Sequence, residues 1–151
     1  MLYTDDLWRI LSNDKRTASS FRGVFASDEL PASTSTSSLY VCNTDPSTKG
    51  GEHWIVIYVD DKRRAEFFDS FGMPPTKERF KTFLNNVSAS WMFNARSVQY
   101  PLSDACGYHC VFFAVHRCVG FNINAVVNMY THNLMYNDVL VKQFVREKIW
   151  Q

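Results

Sequence analysis

The sequence predicts an α+β fold in which helices flank a small central mixed sheet. Three observations carry that expectation. Runs rich in β-branched and aromatic residues at 39–43, 54–60 and 65–68 read as strands. Phe80, Phe83, Leu84 and Val87 follow at helical spacing. The apolar stretch Val111-Phe112-Phe113-Ala114-Val115 follows closely on a polar loop, as a buried helix does. With 151 residues and 46% hydrophobic content the chain can bury one substantial core, so a single domain over residues 1–151 is expected.

In chain order, Thr4 is placed to cap a first helix, with Asp5 and Asp6 at its positive end and Leu7, Ile10 and Leu11 on one face. Residues 13–38 are rich in Ser, Thr, Ala and Asp, which suggests ordered loop with room for one strand. Asp61-Lys62-Arg63-Arg64 suits the turn of a hairpin between the second and third strands. Pro74-Pro75-Thr76 opens the helix that carries Phe80. A strand over 91–98 then leads through a loop into a helix beginning at Cys106 and ending near Gly120 as its C-cap. Two more helices, over 123–131 and 137–149, close the domain, the second with Val141, Phe144 and Val145 in an apolar stripe.

Charge and cysteine usage narrow the function. Sixteen basic and fifteen acidic residues leave a net charge of +1, so no overall field marks a nucleic-acid or membrane binder. The acidic, interrupted N-terminus is unlike a signal peptide and no apolar run reaches membrane-spanning length, so an intracellular protein is expected. The four cysteines lack the paired spacing of a disulfide framework, which suits a reducing compartment.

Cys106 stands where the polar loop from Gln99 meets the apolar helix. A cysteine in the first helical turn feels the positive end of the macrodipole, which favours the thiolate, the form that attacks carbonyls. Such a nucleophile needs a base, a group to orient the base, and donors for the developing oxyanion. His53 lies at the mouth of one strand and Asp69 at the far end of the next, so the hairpin makes them neighbours. Gln99, across a short loop, can aim its amide at the same carbonyl as the Cys106 backbone N–H. Taken singly, Cys106 reads as a small buried hydrophobe, His53 as a structural histidine and Asp69 as a turn residue; the joint arrangement favours chemistry. His109, Cys110 and His116 share one helix with Cys106 and invite a metal, but no second close pair of ligands accompanies them, so no metal is expected.

Gly51-Glu52-His53-Trp54, Phe68-Asp69-Ser70-Phe71-Gly72 and Val98-Gln99 through Cys106-Gly107 resemble, in order and separation, the adenovirus-type endopeptidase (adenain) family within the adenain-like and Ulp-like cysteine proteases. Weaker similarity runs from Phe21 to about Gly120. The resemblance implies an adenain-like, papain-like fold and a catalytic set of His53, Asp69 and Cys106. It also implies an oxyanion hole from Gln99 and the Cys106 N–H, and a narrow cleft lined by Gly51, Trp54 and Gly107. It further implies cleavage at glycine-containing sites in viral or virus-like capsid and polyprotein precursors, in the host nucleus or virion. A protein substrate and a monomeric enzyme are expected. DNA and an activating peptide are cofactors by resemblance only. Asp69 replaces the Glu usual in adenain, and residues 88–97 hold no cysteine for a disulfide to an activating peptide. Asp69-Ser70 and Ser103-Asp104 lean instead toward a Ulp-like protease acting on diglycine tails of ubiquitin-like proteins. A third reading is an inactive protease-like scaffold.

Overall fold

The computed structural model describes residues 1–34, 37–49 and 53–149. A five-stranded mixed sheet runs β1 (Phe21–Phe25), β2 (Ser38–Asn43), β3 (Trp54–Val59), β4 (Arg64–Phe68) and β5 (Ser90–Phe93) in spatial as well as chain order. The three central strands pair antiparallel, while β1 on β2 and β5 on β4 pair parallel. The helices are α1 (Thr4–Asn13), α2 (Glu78–Val87), α3 (Cys106–Cys118), α4 (Ile123–Val127) and α5 (Leu134–Lys148).

Both faces of the sheet are covered, which is why its strands read as unbroken apolar runs. Leu39, Val41, Val56, Tyr58 and Phe68 point to the side packed by α1, α3, α4 and α5. The alternate residues Tyr40, Cys42, Ile55, Ile57 and Phe67 point to the other, against Phe80, Phe83, Leu84 and Val87 of α2. Phe113 of α3 stacks on Phe68 of β4 with ring centroids 4.6 Å apart, seating the helix over the sheet centre. The β3–β4 turn closes on Asp60, whose carboxylate accepts the Lys62 and Arg64 N–H groups at 2.9 and 2.8 Å.

Several boundaries differ from expectation. Thr4 does not cap α1; it is the first helical residue, and Asp6 secures the start by accepting the Tyr3 N–H at 2.9 Å. The proline pair lies ahead of α2, which begins only at Glu78, after Lys77 in extended geometry at φ −80° and ψ 133°. The open stretch over 13–38 does contain a strand, β1. β5 stops at Phe93 because Asn94 turns its side chain inward. α4 ends at Val127 where Arg96 takes over the carbonyls of Val127, Tyr130 and Thr131 at 3.3, 3.3 and 2.7 Å. α5 starts three residues earlier than expected, since the Asn133 side chain accepts the Tyr136 N–H at 3.0 Å.

Candidate active site

The hairpin brings His53 and Asp69 together. Val56 pairs with Phe68, so the open end of β3–β4 sets residue 53 diagonally across from residue 69. His53 Nε2 lies 2.7 Å from Asp69 Oδ1, and the imidazole stacks on Phe71 at 4.7 Å between centroids. A carboxylate only accepts, so Nε2 carries the hydrogen and Nδ1 is left for another partner.

Asp69 is fixed by its surroundings. Oδ1 also accepts the Phe71 N–H at 2.8 Å. Asn94 serves the Asp69 backbone as a strand neighbour would, its Oδ1 accepting the N–H at 3.0 Å and its Nδ2 donating to the carbonyl at 2.6 Å. The chain then doubles back through Gly72, at φ +73°, where a β-carbon would stand 2.7 Å from the Arg96 carbonyl carbon. Only glycine fits there.

Cys106 opens α3, 9% exposed, and forms the third side of the His53 environment. Burial alone would lower the His53 pKa, but hydrogen bonds to Asp69 and Cys106, together with their charges, outweigh it and raise the pKa to about 9. An imidazole held so is cationic at neutral pH.

Gln99 is fully buried. Its carboxamide oxygen accepts from the Ser70 hydroxyl, and its Nε2 donates to the Ser103 carbonyl and hydroxyl, each at 3.1 Å. His53, Trp54, Asp69, Gln99, Ser103 and Cys106 all line one cleft of about 900 Å³. Trp54 is fixed there by its indole N–H, which donates to the Leu2 carbonyl at 3.2 Å. Gly107, expected in the cleft wall, is buried behind it against Leu2, whose Cβ would meet a β-carbon at 2.9 Å, and is not among the lining residues. Gly51 lies outside the described residues.

Of the other cysteines and histidines, Cys42, Cys110 and His109 are held in the core. Cys42 and Cys110 are buried thiols whose pKa values burial pushes up. His109 is fully buried, with Nε2 2.8 Å from Asp138 Oδ1 and Nδ1 3.0 Å from the Tyr130 hydroxyl. Among the described residues no group of three His, Cys, Asp or Glu is arranged to hold a metal, and no helix is long and apolar enough to cross a membrane. Asn94 and Asp138 escaped the sequence reading, and Ser70 entered it only as part of the Asp69-Ser70 dipeptide. Each acts through a partner at least 25 residues away, and only the Asp-Ser dipeptide carried a signal.

No protein-family profile and no curated protein matches the chain. Solved structures do. The ASFV pS273R protease is 19% identical, over 68% of this chain and 40% of its own, with a TM-score of 0.51. ChlaDub1 from Chlamydia trachomatis is 24% identical over 64% of this chain and 46% of its own, at 0.50. The central domain of the uncharacterized Lpg1148 protein from Legionella pneumophila is 12% identical over 98% and 96%, at 0.54. The chain spans less than half the length of the ASFV and Chlamydia proteins. At these identities the likeness is one of fold. The mixed sheet with flanking helices is the fold this chain shares with the ASFV protease and the Chlamydia protein.

Proposed function

We propose that the chain is a cysteine endopeptidase working through Cys106, His53 and Asp69. The observation that carries the reading is one imidazole held between a carboxylate and a thiol at a cleft that Gln99 also lines. Cys106 Sγ attacks the scissile carbonyl, forming the C–S bond and moving the π electrons onto oxygen. The His53 imidazolium gives its proton to the leaving amine as the C–N bond breaks. Water, losing a proton to His53, then attacks the thioester and frees Cys106. Asp69 holds the ring tautomer and favours its cation throughout. Gln99 Nε2–H and the Cys106 N–H receive the oxyanion. Gln99 Nε2 carries two hydrogens, and its two acceptors both belong to Ser103, so on this reading one hydrogen turns from Ser103 to the substrate oxygen.

The substrates on this reading are capsid or polyprotein precursors cut at glycine-containing sites, which would enter the cleft that Trp54 lines. One observation favours a Ulp-like preference for diglycine tails instead. The Ser70 of Asp69-Ser70 holds Gln99 directly, which gives that dipeptide a catalytic use.

Wild type should release coumarin from a peptidyl-Gly-Gly-aminomethylcoumarin, and Cys106→Ala should lose turnover to background. Undiminished turnover by that variant rejects the proposal. Cleavage of ubiquitin-like fusions in preference to the short peptide selects the Ulp-like substrate, and parallel assays with and without DNA measure any polyanion requirement.

A further inference from the structure

The Gln99 carboxamide is gripped at both ends, and one grip has a buried backing. Ser70 holds its oxygen; Ser103 holds its nitrogen through carbonyl and hydroxyl at 3.1 Å each. The Ser103 hydroxyl also accepts, at 3.4 Å, the N–H of Ala105, the residue before Cys106. Behind Ser103 stands Asp138 of α5, whose carboxyl burial pushes up and His109, followed by the nearby Ser103 hydroxyl and Tyr100 backbone, brings below its ordinary range. A hydroxyl has one hydrogen. Given to Asp138, it leaves the lone pairs turned toward Gln99 and Ala105.

Asp138 is held in turn by His109 at 2.8 Å, and His109 by the Tyr130 hydroxyl at 3.0 Å. The neighbouring Asn137, fully buried, donates to the Val98 carbonyl at 3.1 Å and so fixes the peptide leading into Gln99. Asp138, His109 and Tyr130 are absent from the cleft lining, so they touch no substrate.

We propose that the buried series Tyr130–His109–Asp138, acting through Ser103, is a positioning device that sets the direction of the Gln99 N–H offered to the oxyanion. This rests on the cysteine-endopeptidase reading above. A polar chain of this kind earns its place in a core only when every member is satisfied, and among the described residues no buried side-chain nitrogen or oxygen lacks a partner.

The test separates acyl transfer from simple reactivity of the sulfur. Alkylation of Cys106 by 2-chloroacetamide is a displacement at carbon that builds no oxyanion, whereas hydrolysis of the Gly-Gly coumarin amide does. Ser103→Ala should lower kcat about tenfold, part of the loss expected for removing the donor outright, with KM within about twofold. Its alkylation rate should match wild type, and Ser103→Thr, which keeps the hydroxyl, should restore most of kcat. Asp138→Asn should behave like Ser103→Ala; if it does not fold, the two Ser103 variants decide alone. A Ser103→Ala enzyme that hydrolyses like wild type overturns the proposal, as does one whose alkylation falls in step with kcat. A wild-type protein that alkylates selectively at Cys106 yet hydrolyses nothing overturns the endopeptidase reading itself, and removes the premise of this one.

Discussion

Among the described residues two histidine–aspartate pairs have nearly the same separation, His53–Asp69 at 2.7 Å and His109–Asp138 at 2.8 Å, and opposite electrostatics. The His53 pKa rises to about 9. That of His109 falls, because complete burial outweighs its aspartate. The difference lies in the third neighbour and in access to water. His53, 12% exposed in its side chain, faces a thiol that can become an anion, whereas His109 faces the neutral hydroxyl of Tyr130 and no solvent. A carboxylate beside an imidazole therefore does not define a catalytic pair. Burial, together with what stands on the ring's other nitrogen, decides whether an imidazole beside its carboxylate gains or loses basicity.

The largest test of that contrast is removal of each imidazole. His53→Ala should cut hydrolysis by roughly a thousandfold or more and abolish the selective alkylation of Cys106 over the other three thiols. His109→Phe should leave that selectivity intact. Equal loss of selectivity in both variants would break the comparison.

Titration sharpens it. His53 has a folded pKa near 9 against an ordinary value of 6.5, so it stabilises the fold fully below about pH 6.5 and loses that contribution as pH rises through 9. The change is worth on the order of 3 kcal/mol, visible in denaturant unfolding across that window. The alkaline limb of kcat/KM should lie near pH 9. Asp69→Asn should move both toward neutral pH, and an imidazole NMR titration that found His109 more basic than His53 would reverse the assignment.

The smallest effect is on stability away from the cleft. His109→Phe removes one hydrogen-bond partner each from Asp138 and Tyr130, and should cost roughly 2 kcal/mol, read as a shift of the urea midpoint. A variant as stable as wild type would show that the pair contributes nothing to holding α3 on α5.

The sequence made the first pair legible and left the second hidden, for a physical reason. His53 and Asp69 are sixteen residues apart on a hairpin, where strand alternation and a four-residue turn suffice to calculate who faces whom. His109 and Asp138 are joined across two helices by packing that no local period encodes. The central strands and the start of α3 followed from residue pattern. The ends of β5 and α4 did not, because Asn94 and Arg96 terminate them with side-chain hydrogen bonds to remote backbone. Gly72 could be flagged as a turn residue, but the backbone it grazes belongs to residues 96–97 and had no trace in its own neighbourhood.

The order of strands across the sheet has a kinetic consequence. The β3–β4 hairpin closes over a handful of residues, while the outer strands must be delivered through longer excursions to pair parallel. Local closures of this sort are completed in microseconds, and distant ones wait on chain diffusion. His53 and Asp69 thus sit at the open end of the most local pairing in the sheet, whereas Cys106 rides on α3, which packs over strands brought together from farther along the chain.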